Sequence, residues 1–345
     1  MSEAIGFEDL RTGVRDVLEA EASSERVHRH YDGDVEVAAN LRRIARELGW
    51  AALGVPEDHE GLGLGLPGLS VLYEELGRSL APVSLLPTMI VAEMLAGGGS
   101  DAQQARWLPA FASADATAAL ALDGDARIDD HRVYGRFAFV VDGVDADLFL
   151  VRAGEAFLLV PADQQGVTIE SLPVVDRTRT LAEITFSGAA CEIIAADADA
   201  LATHAALGIA ADSIGGATAI LAKTIEYLKV RVQFGKPIGS FQALKHRVAN
   251  HHLALELARS LFVTAIGAQE NGADPHALAA LARVTAAETY ASIADDAVQL
   301  HGGIGFTWEH DCHLYLKRAR MNEMLYGNAE VHLDRAAQQL VEQAA

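Results

Sequence analysis

Cysteine is scarce in this chain, with two residues, Cys191 and Cys312, among 345. That is too few for a disulfide scaffold, and they form no metal-type spacing, which fits a reducing compartment. Basic residues are outnumbered, 27 Lys and Arg against 48 Asp and Glu. The resulting net charge of −21 argues against nucleic-acid backbones and anionic membrane surfaces as partners. No run of about 18 consecutive apolar residues occurs, so no membrane span is expected. The first ten residues already carry Glu3, Glu8 and Asp9 and lack the basic-then-apolar order of a secretory leader. A cytoplasmic protein is the expectation. What remains is an ordinary globular mixture, 50% hydrophobic and 22% charged, long enough for two or three domains and a large core.

Taken in order, residues 1–115 read as a helical domain. Apolar residues recur at helical spacing over Phe7–Leu18 and Val35–Leu48, and further helices are expected over Leu69–Leu80 and Leu86–Leu95. Between them lies a glycine-rich stretch, Glu60–Gly68. It superficially suggests a phosphate loop, but no clear strand precedes it and no Lys-Ser or Lys-Thr pair follows, so a flexible connector is the better reading. Residues 116–193 change character. Short apolar runs at Thr117–Leu122, Phe137–Val141, Leu148–Arg152, Ala156–Val160, Val167–Ile169 and Ala182–Phe186 are separated by Asp142-Gly143, Gln165-Gly166 and Ser187-Gly188. This predicts a small antiparallel barrel or sandwich. Residues 194–345 are helical again, with segments over Leu201–Val230, Gln242–Gln269, His276–Leu300, Asp311–Met321 and Ala329–Ala344. Long alanine- and leucine-rich helices joined by short loops predict an antiparallel bundle. The expected fold class is therefore α+β, mostly α, with a central β domain between two helical ones.

Two stretches carry chemistry. Arg231–Val248 reads as a tight corner between two helices, because Gly235, Pro237 and Gly239 break the helical pattern. Arg231 and Gln242 flank the corner, a planar cationic fork and an amide suited to an anionic, heteroatom-rich ligand such as a nucleotide pyrophosphate. The second is Gln299–Phe306, where Gly302 and Gly303 close a helix and let a ligand or backbone approach. It lies one helical hairpin later, so both loops are expected at similar ends of the bundle.

These stretches, with Gly54–Glu57 and Tyr73–Arg78, resemble the acyl-CoA dehydrogenases over nearly the whole chain. The resemblance implies a flavin adenine dinucleotide (FAD) cofactor and α,β-dehydrogenation of a CoA thioester. In that chemistry a carboxylate takes the α-proton while the β-hydrogen leaves as hydride. It also implies that Arg231, Phe234, Gln242, Gln299, Gly302 and Gly303 contact the adenosine side of a flavin held mainly by a neighbouring subunit.

The sequence departs from the family pattern in three places. Tyr326 stands where a glutamate base is commonly found, and a tyrosine with a pKa of about 10 is almost never basic near neutrality; it reads as a packed aromatic. The helix where other members carry the base offers Thr203–Gly208, with no carboxylate. There His204 reads as a surface or helix-start histidine and Asp212 as solvated. The flavin-contacting segment of the β domain is replaced by Ala119–Arg127. No catalytic residue and no metal ligand are therefore assigned. The expectation is a non-catalytic subunit of an α2β2 steroid side-chain dehydrogenase, working beside a catalytic subunit. The alternative is a self-sufficient FAD-dependent dehydrogenase or hydroxylase of the same fold with a relocated base.

Overall fold

A computed structural model describes residues 7–344. Six helices come first: α1 (Glu8–Glu21), α2 (Ser24–Tyr31), α3 (Val35–Glu47), α4 (Gly65–Arg78), α5 (Leu86–Gly98) and α6 (Asp101–Ala112). Strands follow: β1 (Ala118–Ala121), β2 (Gly124–Asp129), β3 (Arg132–Val141), β4 (Leu148–Ala153), β5 (Ala156–Pro161), β6 (Val167–Leu172), β7 (Leu181–Ala190) and β8 (Glu192–Ile194). Then come α7 (Ala198–Val230), the two-residue strands β9 (Val232–Gln233) and β10 (Lys236–Pro237), α8 (Gln242–Glu270), α9 (His276–His301), α10 (Cys312–Asn322) and α11 (Ala329–Ala344). This is the mostly helical fold with a small sheet region that the periodicities predict. In space the described residues form two compact units. One holds those up to Asp34, Ser70–Ala81 and those from Ala206 onward; the other holds Val35–Leu69 and Pro82–Ala205.

The second unit contains the strands, arranged as two four-stranded sheets of order β1-β4-β5-β8 and β2-β3-β7-β6. Pairing is antiparallel except between β1 and β4. Phe149 of one sheet meets Phe186 of the other edge-to-face at 5.9 Å, so their inner faces form one sandwich core. Strand β2 was not anticipated, because Gly-Asp-Ala-Arg-Ile-Asp is almost wholly exposed and gives no alternation to read. A two-residue turn at Asp130-His131, both with positive φ, folds it onto β3. Ser187-Gly188 is not a turn: β7 runs straight through it, and Gly188 (φ +81°) is skipped in the β3 pairing, a bulge rather than a break.

The glycine-rich stretch is neither a phosphate loop nor a flexible connector. Its amides are spent on backbone, Leu62 N–H to Ala52 O at 2.8 Å, Gly63 to Val55 O at 2.9 Å and Leu64 to Leu53 O at 2.9 Å. The amides from Glu60 to Leu64 are therefore not available to cradle an anion. Helix α6 escaped the periodicity reading because Pro109 interrupts it, yet Ser100 and Gln103 form a reciprocal capping box at its start.

In the first unit the axis is α7. It is long and apolar enough to cross a membrane, but 89% of its most apolar window is buried within the protein, the behaviour of a core helix. Backbone approaches it closely: a Cβ on Gly215 would lie 1.9 Å from Glu74 O of α4, and one on Gly77 of α4 would lie 2.2 Å from Asp212 O. Gly215→Ala should therefore destabilise the chain by about 2–3 kcal/mol or more, since backbone cannot yield as a side-chain tip can. Gly13→Ala, in α1 with nothing within 4 Å of its added methyl, should be neutral or stabilising by up to about 1 kcal/mol. Denaturant unfolding of the two variants against the parent checks the contrast.

Candidate functional site

Arg231 follows the last turn of α7. The corner beyond it is a β-hairpin rather than a simple helix–helix turn. Phe234 and Gly235 both have positive φ, +54° and +77°, the geometry of the turn that matches strand twist. The amide of Ile238 closes the hairpin onto Arg231 O at 2.8 Å. Phe234 is 91% exposed and meets Phe241 edge-to-face at 6.1 Å, while Lys236 Nζ sits 4.4 Å over the Phe241 ring. Among the described residues the Arg231 guanidinium has no hydrogen-bond or ion-pair partner. Helix α8 begins at Gln242, and its N-cap, Phe241, supplies no side-chain acceptor. The Leu244 and Lys245 amides bond Phe241 O at 3.1 Å, which leaves those of Gln242 and Ala243 for an anion.

The second loop leaves α9. Gln299 is exposed in the last turn, and Gly302 takes φ +64°, closing the helix. Space is open around Gly302 and Gly303, with no atom within 4 Å of an added Cβ. The roots of the two loops are tied together. Tyr227, one turn before Arg231, stacks on His301 at 4.3 Å and 26°, and its hydroxyl donates to His301 O at 3.2 Å. Sequence reading did not single out Tyr227; its spacing before Arg231 was the available signal. All six predicted residues, Arg231, Phe234, Gln242, Gln299, Gly302 and Gly303, are exposed.

Tyr326 sits half-buried between α10 and α11 with φ +56°. The segment around it is held by Arg283 of α9, itself 1% exposed. One guanidinium nitrogen donates to Asn322 O at 3.0 Å, Glu323 O at 3.0 Å, Leu325 O at 3.1 Å and Gly327 O. Carbonyl dipoles at the end of α10 thus solvate a buried cation, and desolvation lowers the Arg283 pKa to about 10. Glu323, the carboxylate nearest Tyr326 in sequence, is paired with Arg320 at 2.9 Å.

Two sequence expectations are corrected. His204 is not a surface residue: it is 2% exposed and its Nδ1 faces a Glu93 carboxylate oxygen. Asp212 is not solvated: it is 7% exposed, accepting from Arg318 at 2.8 Å and Asn322 at 2.8 Å. Both are buried because α7 is covered on the faces where its periodicity shows no polar stripe.

His332 donates from Nε2 to Tyr326 O at 3.2 Å. Burial first, then the Arg283 charge, pushes its pKa down to about 4 from an ordinary 6.5. A depressed histidine is neutral in the fold, so its contribution is complete above about pH 6.5 and is lost as pH falls towards 4, where the unfolded chain binds the proton and the folded chain does not. His332→Gln keeps the donor without the titration. Its stability should fall less between pH 7 and pH 4 than the parent's, by about 2–3 kcal/mol, and denaturant midpoints at several pH values read the difference.

Residues 7–115 match the acyl-CoA dehydrogenase N-terminal domain and residues 197–341 the acyl-CoA dehydrogenase C-terminal domain. Acyl-CoA dehydrogenase IpdE2 of Mycolicibacterium smegmatis is 35% identical over 327 residues, spanning 94% of this chain and 96% of the relative. A Tcur3481-Tcur3483 steroid ACAD variant superposes with a TM-score of 0.90 at 28% identity, covering 98% of each chain. The ChsE4-ChsE5 complex from Mycobacterium tuberculosis gives a TM-score of 0.89 at 29% identity, covering 99% of this chain and 98% of that one. With these matches and this fold, the chain belongs to the acyl-CoA dehydrogenase family, a flavin-dependent family of oxidoreductases.

Proposed function

We propose that this chain is the non-catalytic subunit of an α2β2 acyl-CoA dehydrogenase that acts in the cytoplasm on a CoA thioester of a steroid side chain. Its role is to hold the adenosine end of an FAD while the partner subunit supplies the base. The observation that carries this reading is the outward-facing corner, where the Arg231 guanidinium has no partner among the described residues and α8 has no side-chain cap. The relatives' own descriptions, a steroid ACAD and a two-component complex, support the substrate class and the paired assembly.

The residues fit the group. Arg231 offers a fork with the geometry of a phosphate contact, and the Gln242 and Ala243 amides at the start of α8 add donors. Gln242 and Gln299 supply amide donors and acceptors for ribose and adenine edges, and Phe234 an apolar ring face. Gly302 and Gly303 keep the α9 terminus open to close approach. Bound FAD would supply the two-electron acceptor of the dehydrogenation, and every contact proposed here is to its adenosine diphosphate part. Phe234, Phe306 and Val230, exposed by 91%, 80% and 73%, give this surface an apolar rim that a second chain would cover.

Within this reading the segment around Tyr326 has no proton to take. Arg283 and His332 hold it in place through backbone carbonyls, and Tyr326 itself is a poor base. Burial and pairing also occupy Asp212, while His204 lies against Glu93.

Co-expression with the catalytic partner tests the proposal. Arg231→Ala should leave assembly intact and weaken flavin retention by the complex about 10- to 100-fold, the loss of a charge-assisted phosphate contact. Flavin absorbance after gel filtration reads this. Full flavin loading and thioester dehydrogenation by this chain alone would overturn the proposal in favour of a self-sufficient enzyme, whose dependence on Tyr326 a Tyr326→Phe variant would then reveal.

A further inference from the structure

Three soft donors converge beneath the Gly302–Phe306 turn. One ring nitrogen of His301, one of His310 and the Cys312 sulfur lie within 4.8 Å of one another. His301 ends α9, Cys312 starts α10, and His310 stands just before it. In sequence they form no recognised metal pattern. The turn between the helices brings them together.

The local geometry favours a shared ligand. Cys312 Sγ is 3.3 Å from His301 Nδ1, and the two imidazole centroids are 4.5 Å apart. His301 Nδ1 also lies 2.7 Å from Ala297 O, a hydrogen bond that this nitrogen gives up when it turns its lone pair to the cation. Tyr227 stacked on the opposite face fixes the ring plane. His301 and Cys312 are buried, while His310 is half-buried, so one side remains open to solvent. The nearest cation, Lys223, is paired with Asp311 at 2.6 Å.

We infer that His301, His310 and Cys312 form a three-ligand site for a soft divalent cation, of which Zn²⁺ is the best match. Two imidazoles and a thiolate are borderline-soft donors, and a solvent molecule on the His310 side would complete a tetrahedron. Ligand atoms around a tetrahedral zinc stand about 3.3–3.8 Å apart, as its bond lengths require. Closing the trio from 4.8 Å takes a shift of about one ångström, and His310 can make it. Its Nδ1 accepts a 3.3 Å bond from the Cys312 amide. Binding expels the Cys312 thiol proton to solvent and changes no oxidation state. The ion would staple the end of α9 to the start of α10 and so brace the loop carrying Gly302 and Gly303. This inference does not depend on the proposed subunit role.

Cobalt(II) is the probe. The full chain, stripped with chelator and dialysed, should bind one Co²⁺ and develop the near-ultraviolet thiolate-to-cobalt charge-transfer band together with tetrahedral visible bands. Cys312→Ser should abolish the thiolate band, and His310→Gln should weaken Co²⁺ and Zn²⁺ binding at least tenfold, with circular dichroism confirming both folds. Cys191→Ser should leave the band intact. Should Cys312→Ser fail to fold, the half-buried His310 variant carries the test. Absence of a stoichiometric thiolate band in the parent, its loss on Cys191→Ser, or unchanged affinity in His310→Gln would overturn the site.

Discussion

The burial of α7 is the constraint on which the first unit depends. Up to Leu221 the helix has no polar stripe, so it is covered by packing rather than floating on a surface. Close coverage is possible because glycines stand where α4 crosses it, at Gly77 and Gly215, and where Tyr290 of α9 packs onto Gly216. The same burial creates a problem at Asp212, whose charge would be prohibitive alone. Arg318 and Asn322 of α10 answer it with two hydrogen bonds at 2.8 Å, so a buried ionic pair fixes where α10 lies.

From that arrangement the candidate site follows. With α10 placed, its C-terminal carbonyls meet Arg283 of α9, which collects the segment around Tyr326. At the other end of α7, Tyr227 stacks on His301 and brings the Arg231 hairpin beside the Gly302 turn. Glu74 and Glu75, in the family-like segment of α4, anchor further elements: Arg259 of α8 and Arg11 of α1 pair with Glu74, and Arg15 with Glu75. Rigid elements thus position residues whose own side chains remain exposed, the usual division between scaffold and binding surface.

Much of this was legible in the sequence. The five helices of the C-terminal region were readable within a few residues, because alanine- and leucine-rich segments combine high propensity with a clear stop at each glycine or proline. Six of the strands were readable from short apolar runs. Polar β2 was not, since a strand exposed along its length carries no alternation. Gly188 marked a bulge instead of a turn for a similar reason: glycine reports a positive φ, and only the partner strand decides whether the chain reverses there.

The sequence by itself determined the order of elements, the family, the candidate contacts at Arg231, Gln242, Gln299 and the two glycines, and the substitution at Tyr326. These are local signals, carried by residue type and spacing along one stretch. Only the tertiary structure decided that His204 and Asp212 are buried and paired, that the Glu60–Leu64 amides are spent on backbone, and that His301, His310 and Cys312 converge. Burial and partnership are set by what arrives from distant parts of the chain. A periodic pattern says which face of a helix is apolar, and packing alone says which charges must be answered and by whom.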